Sequence, residues 1–173
     1  MIQEHEFIAY FEELSINHKS VNHQPETNEA FFYVEDAFDL DEFDQHIRRL
    51  TCQMAVMLVA DDGQFNDNNS NNHTQELDAQ LLFLARKSND QSIREVRSGC
   101  LNTALEYITR MKSDANQGKI LNDPKRRVNF RIERIPYKKI GPILDEWYGY
   151  ELSFTITCPF GWKVSSGTWR DIK

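Results

Sequence analysis

The sequence predicts an α+β fold, one mainly antiparallel sheet of about four strands with helices packed on one face. Three observations carry the prediction. Apolar residues near the N-terminus recur at three-and-four spacing, as on a helix. Ser92-Ile-Arg-Glu95 matches a capping box and opens a long apolar stripe. Near the C-terminus the pattern changes to strict alternation, the mark of strands with one wet face.

Taken in order, Ile2 to Ile16 sets Phe7, Ile8, Phe11, Leu14 and Tyr10 against Glu4, Glu6, Glu12 and Glu13, an amphipathic helix. A polar stretch containing Pro25 ends it, and Ala30 to Val34 has the aromatic and β-branched density of a short strand. Phe43, Ile47 and Leu50 share a face if Asp41 to Leu50 is helical. Thr51 to Ala60, apolar from Met54 onward, predicts a strand covered on both faces and closed by Asp61-Asp-Gly63, with a buried helix as the competing reading. Residues 66–72 are nearly all Asn, Asp or Ser, which bond to their own backbone and favour a loop. Leu77, Leu81, Leu82 and Leu84 then predict a helix over Gln75 to Lys87, and Ile93 through Met111 a longer one over Ser92 to Lys112. Val128, Phe130 and Ile132 alternate with polar residues up to Pro136, and Tyr150 through Cys158 form the clearest strand. The last two are expected to pair antiparallel across a connection containing Gly141 and Pro142. A single domain over 1–173 is expected, with an irregular tail over 159–173 bearing Trp162 and Trp169.

Composition narrows the function. At 173 residues, 40% hydrophobic and 12% aromatic, the chain builds a core without disulfides or metal staples. Its net charge of -7 gives no long-range attraction to phosphate, so direct nucleic-acid binding is not expected. The longest apolar run, Met54 to Ala60, is far short of a membrane span of about 20 residues. Acids stand where a signal peptide needs bases, and a cytoplasmic site of action is expected. Cys52, Cys100 and Cys158 are odd in number and widely spaced, which indicates small buried hydrophobes.

Candidate chemistry is sparse. Asp67, Asn69, Asn71 and Asp78 fall at the first, third, fifth and twelfth positions of a calcium loop, but Asn72 replaces the turning glycine and Asp78 the bidentate Glu. A solvated loop is the expectation. Glu35, Asp36, Asp39, Asp41, Glu42 and Asp44 put six acids into ten residues, which fits a charged outer face more readily than a catalytic pair. His5, His18, His23, His46 and His73 are scattered, and Ser98-Gly99-Cys100 imitates a nucleophile turn only inside the long helix, where Gly99 is expected to allow close packing. No GxGxxG or GxxxxGK[ST] motif occurs. No catalytic residue, metal ligand or cofactor is therefore assigned.

One contrast points to a function. Lys119 to Lys139 hold eight bases against Asp123 and Glu133, a local +6 opposed to the -6 of residues 35–44. The two are solvated faces, or they neutralise each other within one subunit, or they meet head to tail between identical subunits, a contact that makes a ring when its rotation closes. The candidate interface residues are Asp39, Asp41, Glu42 and Asp44 on one side, and Arg126, Arg127, Arg131 and Arg134 on the other, with Arg131 facing outward on a strand.

The order helix, strand, short helix, strand, two helices and antiparallel strand pair, closing on Trp147-Tyr-Gly149-Tyr-Glu-Leu-Ser-Phe-Thr-Ile-Thr157, resembles the tail-terminator and neck (head–tail joining) proteins of bacteriophages and prophages. The likeness spans most of the chain and is one of pattern, without a diagnostic motif; the Asn-rich loop and the tryptophan-bearing tail depart from it. It implies a non-enzymatic virion-assembly subunit forming a homo-oligomeric ring, commonly a hexamer, that joins other tail or neck proteins. The competing expectation is a metal-dependent hydrolase using the acidic segment 35–44 with His46. A third is a regulatory protein whose acidic face mimics nucleic acid, against which the basic segment argues.

Overall fold

The computed structural model of the chain describes residues 2–34, 40–67, 72–120, 128–130, 132 and 134–161. The elements run α1 (Glu4–Asn17), β1 (Phe31–Val34), α2 (Leu40–Arg49), β2 (Met54–Asp67), β3 (His73–Arg86), α3 (Ile93–Gln117), β4 (Asn129–Phe130), β5 (Tyr137–Ile143) and β6 (Trp147–Pro159). The class is α+β, as expected, but among the described residues the sheet has six strands and is mixed. Its order is β1-β2-β3-β6, and β4 and β5 divide the outer edge of β6 between them. β1 and β2 are parallel; every other pair is antiparallel.

The helix expected over Gln75 to Lys87 is instead β3, the central strand. Leu77, Leu81 and Leu84 satisfy helical spacing, yet Leu81 to Ala85 form a continuous buried run, as a strand covered on both faces requires. The distal half alternates: Gln75, Leu77 and Ala79 are turned to one face and Glu76, Asp78 and Gln80 to the other. Ladders to β2 and β6 satisfy its backbone on both edges.

The Asp61-Asp-Gly63 stop signal is likewise overridden. β2 continues to Asp67 and absorbs the turn residues in a register shift between Ala60 and Gly63. Such a bulge takes an extra residue into one strand, and Gly63 suits it because an added Cβ would lie 2.9 Å from Leu77 and 3.0 Å from the Glu76 carbonyl. β5 was not expected as a strand, and it pairs with β6 through its own irregularity between Ile140 and Ile143.

The helices divide between the two faces, contrary to the one-face expectation. Phe11 of α1 meets Phe154 at 5.7 Å, and Tyr107 of α3 meets Phe83 at 5.0 Å, so α1 and α3 cover the face carrying Val56, Leu58, Leu81, Phe83, Leu152 and Phe154. Phe32 points the other way, and its ring is 5.0 Å from His46 of α2. On that second face Met57 and Leu84 are fully buried, whereas the β3–β6 portion carries Glu76, Asp78, Glu151, Ser153 and Thr155, the wet face expected for β6. Phe11, Phe83 and Tyr107 dominate the buried cluster, each hidden side chain stabilising by roughly 2–3 kcal/mol.

Local signals at α3 hold. Ser92 Oγ accepts the Glu95 N–H at 3.3 Å, and the Glu95 carboxylate accepts the Ser92 N–H at 2.7 Å. Gly118 ends the helix at φ 67°, with the next N–H, of Lys119, donating to the Asp114 carbonyl at 2.8 Å. Gly99, however, is not a packing glycine: a Cβ there would meet nothing within 4 Å. The glycine that packing demands is Gly149, where an added Cβ would fall 1.8 Å from the Phe83 carbonyl oxygen.

Candidate functional site

Two regions could act on something outside the chain: the edges of the sheet and a groove between α1 and α3. The groove has two connected parts of about 150 and 70 Å³, and Arg110 borders both. Its wall is a seam of polar links between the helices. Buried Asp114 accepts from Tyr10 Oη at 3.1 Å and takes both of its oxygens to Arg110 Nε at 3.0 and 2.9 Å. Tyr107 Oη donates to Ser15 Oγ at 2.9 Å, which donates on to the Phe11 carbonyl. Burial first, then the charge of Asp114 and its hydrogen bond, hold the Tyr10 hydroxyl far above its ordinary range, and burial does the same to Tyr107. Both phenols stay protonated and Asp114 is engaged, so the seam holds two helices together and presents no poised base.

Four of the histidines, and the cysteines, are also engaged in structure. His23 Nδ1 accepts the N–H groups of Ala30 and Phe31 at 3.1 and 3.2 Å, His18 meets Glu106 at 2.7 Å, and His73 lies 3.4 Å from Asp67. His46, which the hydrolase expectation coupled to the acids, rests on Phe32. Burial pushes the Cys52 thiol up to about 11 and that of Cys100 to about 12, so neither is a nucleophile at neutral pH. Of the calcium-loop residues Asn69 and Asn71 lie outside the described residues, and the hairpin holds the other two apart. Asp67 stands opposite His73, while Asp78 lies five residues farther along β3, roughly 17 Å away, and accepts a hydrogen bond from Thr155. Among the described residues no group of three or more His, Cys, Asp or Glu side chains is placed to hold a metal.

The edges carry the charge. Residues 1–67 hold fifteen aspartates and glutamates against three lysines and arginines; residues 68–173 hold twelve against seventeen. The chain turns from one composition to the other at the β2–β3 hairpin. The acidic part builds β1, α2 and β2 on one side of the sheet and α1, which crosses over to β6 and α3; the other part builds β3, β6, β4, β5 and α3.

Of the residues picked out in the sequence, Asp41, Glu42 and Asp44 fall in the first half of α2, beside β1 at the acidic edge. Arg134 is exposed immediately before β5, at the opposite edge. Asp39, Arg126, Arg127 and Arg131 lie outside the described residues. Residues not singled out before extend both patches: Glu26, Glu29 and Asp62 are exposed on the acidic side, and Lys139 on the basic side. Lys138 is spent within the chain, 2.7 Å from Glu151. No sequence run shows these groupings, because strand order brings distant segments to one edge.

Among the described residues no helix is long and apolar enough to cross a membrane. No family model matches this chain, and no curated protein is significantly similar to it.

Proposed function

We propose that this protein is a non-enzymatic assembly subunit that associates head to tail with copies of itself into a ring, in the manner of the phage tail-terminator and neck proteins its element order resembles. The observation that carries the reading is the contrast in charge between the segments that build the two edges of one sheet. An edge of one sign cannot mate with the same edge of a second copy about a twofold axis without setting like charges together. It mates with the other edge of a neighbour, and repetition of that heterologous contact closes a ring or extends a filament. The charges guide approach and register, and most of the affinity comes from elsewhere in the contact.

Size-exclusion chromatography with light scattering, at low and at high salt, tests the reading directly. An oligomer is expected at low salt, loosening as ionic strength rises and the Debye length falls to about 3 Å at 1 M. Negative-stain images then show whether the product is closed. A monomer under both conditions overturns the proposal.

A further inference from the structure

Neither edge is built to accept another strand. β5 carries Lys138, Lys139 and Pro142, and β2 beyond the end of β1 carries its bulge and Asp62, devices that discourage ladder pairing. A contact between edges must then be made by side chains, and each edge has an exposed apolar feature suited to it.

At the basic edge, Arg97 donates from α3 to the carbonyls of Ile140 and Gly141 at 3.3 and 3.2 Å, and Lys112 donates to that of Phe130 at 3.1 Å. These anchors bracket one flank of α3, on which Leu101, Leu105 and Ile108 follow at helical spacing. Alongside run Ile132, just past β4, and Tyr137, which opens β5 and meets Tyr150 on the α1/α3 face at 5.6 Å. Leu105 and Tyr137 are each 61% exposed and Ile132 44%, with exposed Arg134 and Lys139 beside them. At the acidic edge Phe65 is 58% exposed on β2, past the point where β1 stops, with one side of its ring against Phe160 at 5.1 Å and Asp62 and Asp67 on either side along the strand. Phe65 also belongs to the α1/α3 face, since it stands opposite Gln75, whose side chain bonds to Ile2 beneath α1.

We infer that Phe65 of one copy docks on the Leu105–Ile132–Tyr137 patch of the next, with Asp62 meeting the Arg134 and Lys139 rim. This rests on the head-to-tail reading above and names its anchor. The two features match in polarity, with an apolar centre in each, and are opposite in the sign of their rims. An aromatic side chain set in such a ring is the kind of residue that dominates a protein interface. Phe65 and the patch lie three strands apart, roughly 14 Å, and are offset along the strands by about six residues, roughly 20 Å. Each step therefore displaces the next copy obliquely.

Analytical ultracentrifugation of the wild type, Phe65→Ala and Tyr137→Ala tests the anchor. Each substitution is expected to weaken self-association at least about tenfold while the thermal melt stays near wild type, because both side chains are exposed. A monomeric wild type would overturn the head-to-tail reading and the anchor together. An oligomer indifferent to both substitutions would overturn the anchor alone. A Phe65→Cys chain mixed with a Leu105→Cys chain is expected to give a mixed disulfide, since the native cysteines are buried. A product dominated by Phe65→Cys chains joined to each other would mean a twofold contact and would sink the inference.

Discussion

The two edges of the sheet meet the same hazard by different means. Any sheet edge is an unpaired ladder that invites another chain. On the acidic side β1 is four residues long and the His23 ring takes the N–H groups of Ala30 and Phe31, so that edge is shortened and capped. On the basic side β4 and β5 are interrupted strands, armed with lysines and a proline. One edge is closed by local hydrogen bonding and the other by composition. Among the described residues both favour contact through side chains over ladder pairing.

The largest expected effect comes from breaking the support of the basic edge. Among the described residues β4 and β5 have no partner strand other than β6, and β6 lies close to β3 at Gly149. In Gly149→Ala the new methyl would overlap the Phe83 carbonyl, a backbone atom that cannot rotate away. A cost of about 3 kcal/mol is expected, seen as a melting temperature lower by roughly 6–12 °C. Gly99→Ala, which meets open space, is the control and is expected to be neutral or mildly stabilising. Equal losses in both variants would show that chain flexibility, and not the β3–β6 approach, limits this region.

A second effect sharpens the relation between the two sides by loosening the seam that joins them. α1 comes from the acidic part of the chain and α3 from the other, and Tyr10–Asp114 and Tyr107–Ser15 tie them. Both tyrosines have folded-state pKa values above the ordinary 10, raised first by burial. Unfolding at high pH therefore releases protons. The stabilisation is complete below pH 10 and declines as pH rises above it, by up to about 1.4 kcal/mol per pH unit for each tyrosine. Thermal melts between pH 8 and 11.5 should show that decline, shallower in Tyr10→Phe. An identical slope in wild type and variant would remove Tyr10 from the account.

How much of this could be read in the sequence follows from what each signal measures. α1 and α3 were legible because their stripes and the Ser92–Glu95 box are local, and local physics decides them. β6 was legible because one of its faces is wet along much of its length. β3 was not, since a strand buried on both faces loses its period and Leu77, Leu81 and Leu84 then mimic a helix. β2 was cut short because Asp61-Asp-Gly63 reads as a turn until a partner strand turns it into a bulge. Of the candidate interface, the signs of the two patches were visible. Phe65 and the Leu105–Ile132–Tyr137 group were not, since apolar residues in alternating or helical patterns are read as core until the fold shows which of them stay largely exposed.

The smallest expected effect separates charges that face a neighbour from charges already satisfied. Lys138 and Lys139 are adjacent in sequence, but alternation along β5 sends them to opposite faces. Lys138 pairs with Glu151 within the chain, whereas Lys139 stands beside the α3 patch. With its side chain 67% exposed, Lys138 gains little from its ion pair, so Lys138→Ala is expected to cost less than about 1 kcal/mol and to leave self-association unchanged. Lys139→Glu is expected to weaken association several-fold at low salt and hardly at all at high salt, since a rim charge acts through a screened field. Sedimentation of both variants at two ionic strengths decides the matter. If Lys138→Ala loosened the oligomer as much as Lys139→Glu, the neighbour would be reaching the wet face of the sheet, and the contact would have to be redrawn around Glu151 and Thr155.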